Sequence, residues 1–153
     1  MKKYNRVMLG RKSKHAEECY QGGFIGTDFG LYLDLTGKLE EDRRTFNEKI
    51  IPTYLSTHPD KTKVAAALAC GMTWTVAKGL NVGDIVLCPD GTGRYRPGEI
   101  IGDYYYAPDQ ILFHRRPVKW FDEHINRSDM SQALQYSTGS IGTCCEVTKY
   151  SEE

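Results

Sequence analysis

No charge of either sign prevails in this 153-residue chain, where twenty Lys and Arg balance twenty Asp and Glu. Without a global field to draw the protein to a polyanion or an acidic membrane, anion recognition has to come from local clustering. Long apolar runs are lacking too: nothing approaches the roughly 20 residues that span a bilayer. The run Val7-Met8-Leu9 behind Met1-Lys2-Lys3 stops short of signal-peptide length, so a cytoplasmic chain with no membrane partner is expected. Disulfide chemistry has little to work with. Cys19, Cys70, Cys88, Cys144 and Cys145 form an odd set with no C-x-x-C pair, and the vicinal pair is badly placed to bridge to itself, so reduced thiols are expected. G-x-S-x-G, H-E-x-x-H, Walker A and G-x-G-x-x-G sequences are all missing, which removes the common hydrolase, zinc and nucleotide signatures. Neither metal nor cofactor is expected.

What is present suits a folded chain, with 40% hydrophobic and 26% charged residues. A single domain is expected over residues 1–150, followed by the polar tail 151–153. Tyr4–Leu9 reads as a strand followed by a basic loop. Gln21–Gly30 carries four glycines around two aromatics, a segment able to line a pocket. Apolar residues at helical spacing predict a helix from about Glu41 to Ser56 and a second from Lys61 to about Lys78, capped by Asp60 and ended by Gly79. The second helix has an apolar stripe (Val64, Leu68, Met72, Val76) and a small-residue face (Ala66, Cys70, Thr73, Ala77) suited to close packing. The period then changes to two. A hairpin is expected from Ile85–Cys88 and Tyr95–Gly102 across Pro89–Gly93, then a strand over Phe113–Phe121, a polar helix near Ser128–Tyr136 and a last β-prone piece at Thr143–Tyr150. This order predicts an α+β fold, a curved mixed sheet or small barrel backed by helices.

Two features suggest chemistry. Pro89-Asp90 with Glu99 nine residues on resembles the acidic pair of many metal-dependent nucleases, but Ile101 stands where that motif has lysine. The other feature is cations beside aromatics. Lys2, Lys3, Arg6, Arg11, Lys12 and Lys14 precede the first acid, Glu17. His114, Arg115, Arg116 and Lys119 follow the triplet Tyr104-Tyr105-Tyr106. Phosphates need fixed cations and bases need flat apolar faces, so Arg11, Lys12, Lys14, Arg115 and Arg116 are expected phosphate contacts. A solvated charged face over core aromatics is the plainer explanation of each cluster. For His114, packing beside basic side chains outweighs a role as a metal ligand.

Taken in order and spacing, Gly83-Asp84-Ile85-Val86-Leu87, Gly98–Tyr106 and His114-Arg115-Arg116-Pro117-Val118-Lys119-Trp120 resemble the PUA-like superfamily in its EVE and YTH branch. More closely, they resemble the N-terminal modified-base sensor domains joined to McrB-type and Mrr-type restriction enzymes. Arg6-Val7-Met8-Leu9 with Lys12-Ser13 resembles the first strand and basic loop of the YTH branch, so the likeness covers most of the chain. It implies a curved, barrel-like mixed sheet with helices packed on it. It also implies a reader that flips a modified, typically methylated, base out of DNA or RNA into an aromatic cage.

By that likeness one cage wall falls at Phe24, Ile25, Gly26, Asp28 and Phe29, with phenylalanine where YTH readers carry tryptophan. The second falls at Tyr104, Tyr105 and Tyr106. Ser13 and Lys14 fall where YTH readers touch the base edge and backbone, and Asp28 is placed to accept from an exocyclic amine. The late YTH arginine has no counterpart around Ser137–Thr143. Trp120 matches a family tryptophan of the core. Trp74 reads either as core anchor or as pocket lining and is grouped here with the pocket. The expected function is a non-enzymatic DNA-binding module that gives target choice to an effector nuclease or motor of a modification-dependent restriction system. An RNA-binding PUA-like module is the alternative, and a small metal-dependent nuclease using Asp90 and Glu99 the second.

Overall fold

The computed structural model describes residues 3–131 and 144–146. In chain order the elements are β1 (Tyr4–Val7), α1 (Ala16–Gly22), β2 (Phe24–Thr27), α2 (Arg43–Thr57), α3 (Lys63–Trp74), β3 (Ile85–Pro89), β4 (Arg94–Ile100), β5 (Tyr105–Tyr106), β6 (His114–Trp120), β7 (Ile125–Asn126) and β8 (Cys144–Glu146). The strands form one sheet ordered β2-β6-β4-β3-β1-β8, with β5 on β6 and β7 on β4. The sheet is mixed because β1 runs parallel to β3 while the other pairings are antiparallel. The fold is therefore α+β, as the alternation of hydrophobic periods implied.

Strand β6 splits its partners. Its C-terminal residues Val118–Trp120 pair with β4, whereas His114–Pro117 pair with β2 and overhang the end of β4, where β5 joins them. One core packs on the sheet and includes Val7, Ile25, Val76, Val86, Ile100 and Val118. A second holds α2 and α3 to the segment after β2, through Leu31, Leu35, Phe46, Ile50, Ala66 and Cys70, with Trp74 and Tyr104 against it.

The helices depart from expectation in three ways. The cap of α3 is Thr62, whose Oγ1 accepts from Ala65 N at 3.1 Å, and not Asp60. The small-residue face of α3 is buried, but Val64 and Leu68 of the apolar stripe are 71% and 59% exposed. Close approach to α2 favours the small face, so the larger side chains turn outward. The unanticipated α1 is a single short helix ended by Gly23 at φ 72°, whose N–H bonds Cys19 O at 2.9 Å.

In place of the expected polar helix from Ser128 there is a short 3₁₀ turn at Arg127–Asp129 leading into extended Met130, and the rest of that prediction lies outside the described residues. Among the described residues no helix is long and apolar enough to cross a membrane.

Candidate functional site

Strand directions divide the predicted site residues between two ends of the sheet. Segment Leu80–Asp84 enters β3 at one end, and β4 leaves the sheet there towards Asp103 and Tyr104. Thr27 pairs with His114 on the overhang of β6, so the segment after β2 emerges at this same end. The other end carries the β3–β4 hairpin tip. There a Cβ added to Gly91 would stand 3.6 Å from Lys12 O and 3.8 Å from Ser13 Cβ, because parallel β1 delivers its following loop to the same place. The five residues of β3 separate the two ends by about 16 Å at roughly 3.3 Å per residue.

A cavity of about 560 Å³ opens at the first end, among Leu39, Trp74, Leu80, Asn81, Tyr104 and Arg116, with Glu41, Lys78 and Asp103 also lining it. That volume lies within the roughly 300–1,000 Å³ of ordinary ligand pockets. Its wall is made by an irregularity at the end of α3. Residues Thr75–Gly79 widen into a π-helical turn, closed by Leu80 N donating to Thr75 O at 2.9 Å. Such a turn leaves carbonyls without helical partners. Arg116 takes them: Nη1 donates to Leu80 O at 2.6 Å and to Val76 O and Ala77 O at 3.3 Å, while Nε donates to Gly102 O at 2.9 Å. One guanidinium thus ties the π turn to the strand-end loop across the cavity floor.

Both aromatic walls have their polar atoms occupied elsewhere. Trp74 Nε1 donates to Glu40 O at 2.9 Å. Tyr104 Oη lies 2.8 Å from His114 Nδ1 and accepts from Leu35 N at 3.1 Å. What these residues offer the cavity is ring surface. Gly79 packs tightly beside Trp74, since a Cβ there would stand 3.0 Å from Trp74 Cζ3.

The family model described as "Domain of unknown function (DUF8426)" matches residues 6–147. The chain belongs to this family. No curated protein matches it. The DUF8426 match spans both ends of the sheet, so the chemistry of the site has to be read from its own groups.

His114 is fully buried, with Nε2 2.7 Å from Leu31 O. A carbonyl only accepts, so Nε2 carries the proton and Nδ1 accepts from the Tyr104 hydroxyl. Burial holds the imidazole below its ordinary pKa, and therefore neutral, against the opposing pull of the Leu31 carbonyl. Burial pushes the Tyr104 phenol up to about 12, so it keeps the proton it donates. The rim is mixed in charge, with Lys78 Nζ 3.8 Å from Glu41 Oε1.

Of the residues grouped with the pocket, Trp74 and Tyr104 both line this cavity. Tyr105 is exposed on β5, and Tyr106 stands edge-on to Phe113 beside His114. Asp28 is exposed and accepts from Gly30 N at 3.2 Å, with Phe29 half-buried next to it.

The other expectations need correction. Phe24 and Ile25 belong to the sheet core, and the Arg115 guanidinium covers the Phe24 ring at 3.8 Å, so neither is a cage wall. Gly26 is where strands approach closely: a Cβ would meet Leu112 O at 2.6 Å. Arg115 is buried and donates to Leu112 O and Ile111 O, and Arg116 is committed to the π turn, so neither meets solvent phosphate. Ser13 is buried at the hairpin end. Exposed Arg11, Lys12 and Lys14 are there with it, the length of β3 away from the cavity.

Asp90 and Glu99 are not brought together. Asp90 accepts from Thr92 and pairs with Arg94 at 3.4 Å, whereas Glu99 lies five residues further along β4. Sequence reasoning missed Leu39, Lys78, Asn81 and Asp103. Two signals pointed their way: Gly79 five residues after Trp74, and an acid directly before the tyrosine triplet.

Proposed function

We propose that this chain is a base-reading module of the PUA-like, EVE and YTH kind. In this reading it takes a flipped, modified base of DNA between Trp74 and Tyr104, and gives target choice to an effector nuclease or motor without itself catalysing a reaction. The observation that carries this is the cavity at the end of a helix-backed mixed sheet, walled by two rings whose polar atoms are already satisfied. Extruding a base costs a few kcal/mol of stacking and pairing, which flat faces in a desolvated slot offset. A methyl group then adds about 0.8 kcal/mol if the slot encloses it, so discrimination depends on the fit of the walls. The cation able to meet phosphate beside the slot is Lys78, at its rim.

Equilibrium titration with matched duplexes carrying modified and unmodified bases, and with the corresponding RNA, tests the proposal. Trp120→Phe would leave Trp74 as the single tryptophan. Its fluorescence should be quenched only by oligonucleotides with a modified base. Equal weak binding to every oligonucleotide, with no change at Trp74, would sink the reading. A response to RNA and not DNA would move it to the RNA-directed branch.

A further inference from the structure

Two aliphatic side chains stand in solvent at the cavity end of the sheet. Val82 lines the cavity and is 57% exposed, and Ile101 is 53% exposed. The backbone brings them side by side. Gly83 N donates to Ile100 O at 2.8 Å and Ile100 N donates to Asp84 O at 3.0 Å, so Val82 and Ile101 are the next residues outward on adjoining chains. Both positions are fixed. Asp84 N donates to Asn81 O at 3.0 Å, and of the two residues between them only Gly83 has a positive φ, 98°, as in a type II turn with Val82 at its leading corner. The buried Asp84 carboxylate locks this turn by accepting from Asn81 N at 2.9 Å and from Lys3 N at 3.0 Å. Ile101 N in turn donates to Pro117 O at 3.0 Å. Single exposed apolar residues are ordinary on a protein surface, but a rigid pair at the mouth of a pocket meets whatever enters it.

Drawing a base out of a double helix leaves a gap about 3.4 Å thick along the strand, and the neighbouring bases lose their stacking. An aliphatic side chain, whose carbons contact others at roughly 3.5–4.0 Å, matches that thickness. Apolar side chains inserted between base steps are a general means of holding a duplex unstacked. We infer, on the basis of the base-reading proposal, that Val82 and Ile101 form a wedge that enters the helix where the base has left, so that the cavity takes its base from a duplex. Val82 belongs to the wedge and to the cavity wall together, which places the filler beside the extruded base. Lys78 on the same rim supplies the cation for a flanking phosphate. A protein partner would need about 800 Å² of surface on each side, far more than two aliphatic side chains offer.

The test compares the unaltered full chain with Ile101→Ala and with Val82→Ala combined with Ile101→Ala. Each is titrated with oligonucleotides carrying 5-methylcytosine or N6-methyladenine, as duplexes and as the matching single strands. A 2-aminopurine next to the modified base reports unstacking by its fluorescence. On a duplex that the unaltered chain binds, the double variant should lose affinity roughly tenfold and leave the 2-aminopurine dim, while affinity for the single strand changes by less than about twofold. Equal losses on duplex and single strand would make the pair ordinary cavity wall and overturn the wedge, as would an undiminished duplex affinity. Binding confined to single strands overturns the wedge while leaving base reading intact, and no binding to any modified oligonucleotide removes both. Self-association in sedimentation that the double variant abolishes would make the pair a contact between copies of the chain and also overturn it. Should circular dichroism show the double variant unfolded, Ile101→Ala, which shortens an exposed side chain, decides by the same comparison.

Discussion

The Tyr104 hydroxyl donates to Nδ1 of His114 at 2.8 Å and accepts from the backbone of Leu35, joining the strand-end loop, β6 and the segment after β2 through one oxygen. Tyr104→Phe keeps the ring but strands a buried imidazole nitrogen and an amide. It should cost about 1–3 kcal/mol. Urea denaturation measures this loss. Base binding by the folded fraction should survive in Tyr104→Phe and be lost in Tyr104→Ala.

The buried neutral His114 makes stability depend on pH. Its folded pKa is depressed by burial, so below its ordinary value of 6.5 the unfolded chain binds a proton that the native chain refuses. Stability is therefore complete above that pH and falls as the medium is acidified. The slope from this one group is at most about 1.4 kcal/mol per pH unit. Thermal melts from pH 7.5 to 5 should show the decline, and His114→Asn should start less stable with a flatter slope over that interval.

Gly79→Ala presses a methyl group towards Trp74 at a site where the backbone itself tolerates alanine. A small change in melting temperature should accompany a larger change in ligand affinity, because the ring forms the wall. Loss of stability with unchanged affinity would show that Trp74 is only a core anchor.

Charge reversal separates the two ends of the sheet. Lys78→Glu at the cavity rim should weaken oligonucleotide binding and reduce its salt dependence, whereas Lys12→Glu at the hairpin end should leave affinity for a single extruded base nearly unchanged. Titrations at several salt concentrations compare them. A larger effect from Lys12→Glu would relocate the binding surface to the hairpin end.

Cys19, Cys70 and Cys88 are free and buried, and burial pushes the thiols of Cys19 and Cys70 up to about 12 and about 11. These three should be unreactive to a disulfide reagent in the native state and become reactive in urea. Rapid native labelling of more than two thiols per chain would contradict the packing.

Local chemistry along the chain determined strands β1, β3, β4 and β6, the hairpin turn at Asp90, helix α2 and the α+β class, because period, caps and turn residues act over a few neighbours, whereas β2, in a glycine-rich segment read as pocket lining, was not legible there. The family likeness, not local chemistry, put Tyr104 near a pocket, and the sequence left Trp74 open between core anchor and pocket lining. The tertiary structure decided which cations meet solvent, since Arg115 and Arg116 are buried on β6 among backbone carbonyls while Lys12 is exposed in a loop. It decided which face of α3 is inside, because closeness to α2 selected small side chains over larger apolar ones. And it decided where the cavity lies, since the parallel pairing of β1 with β3 sends the basic loop to one end of the sheet and leaves Trp74, Tyr104 and Arg116 at the other. Strand direction and long-range pairing are properties of contacts between residues far apart in sequence, and no local pattern encodes them.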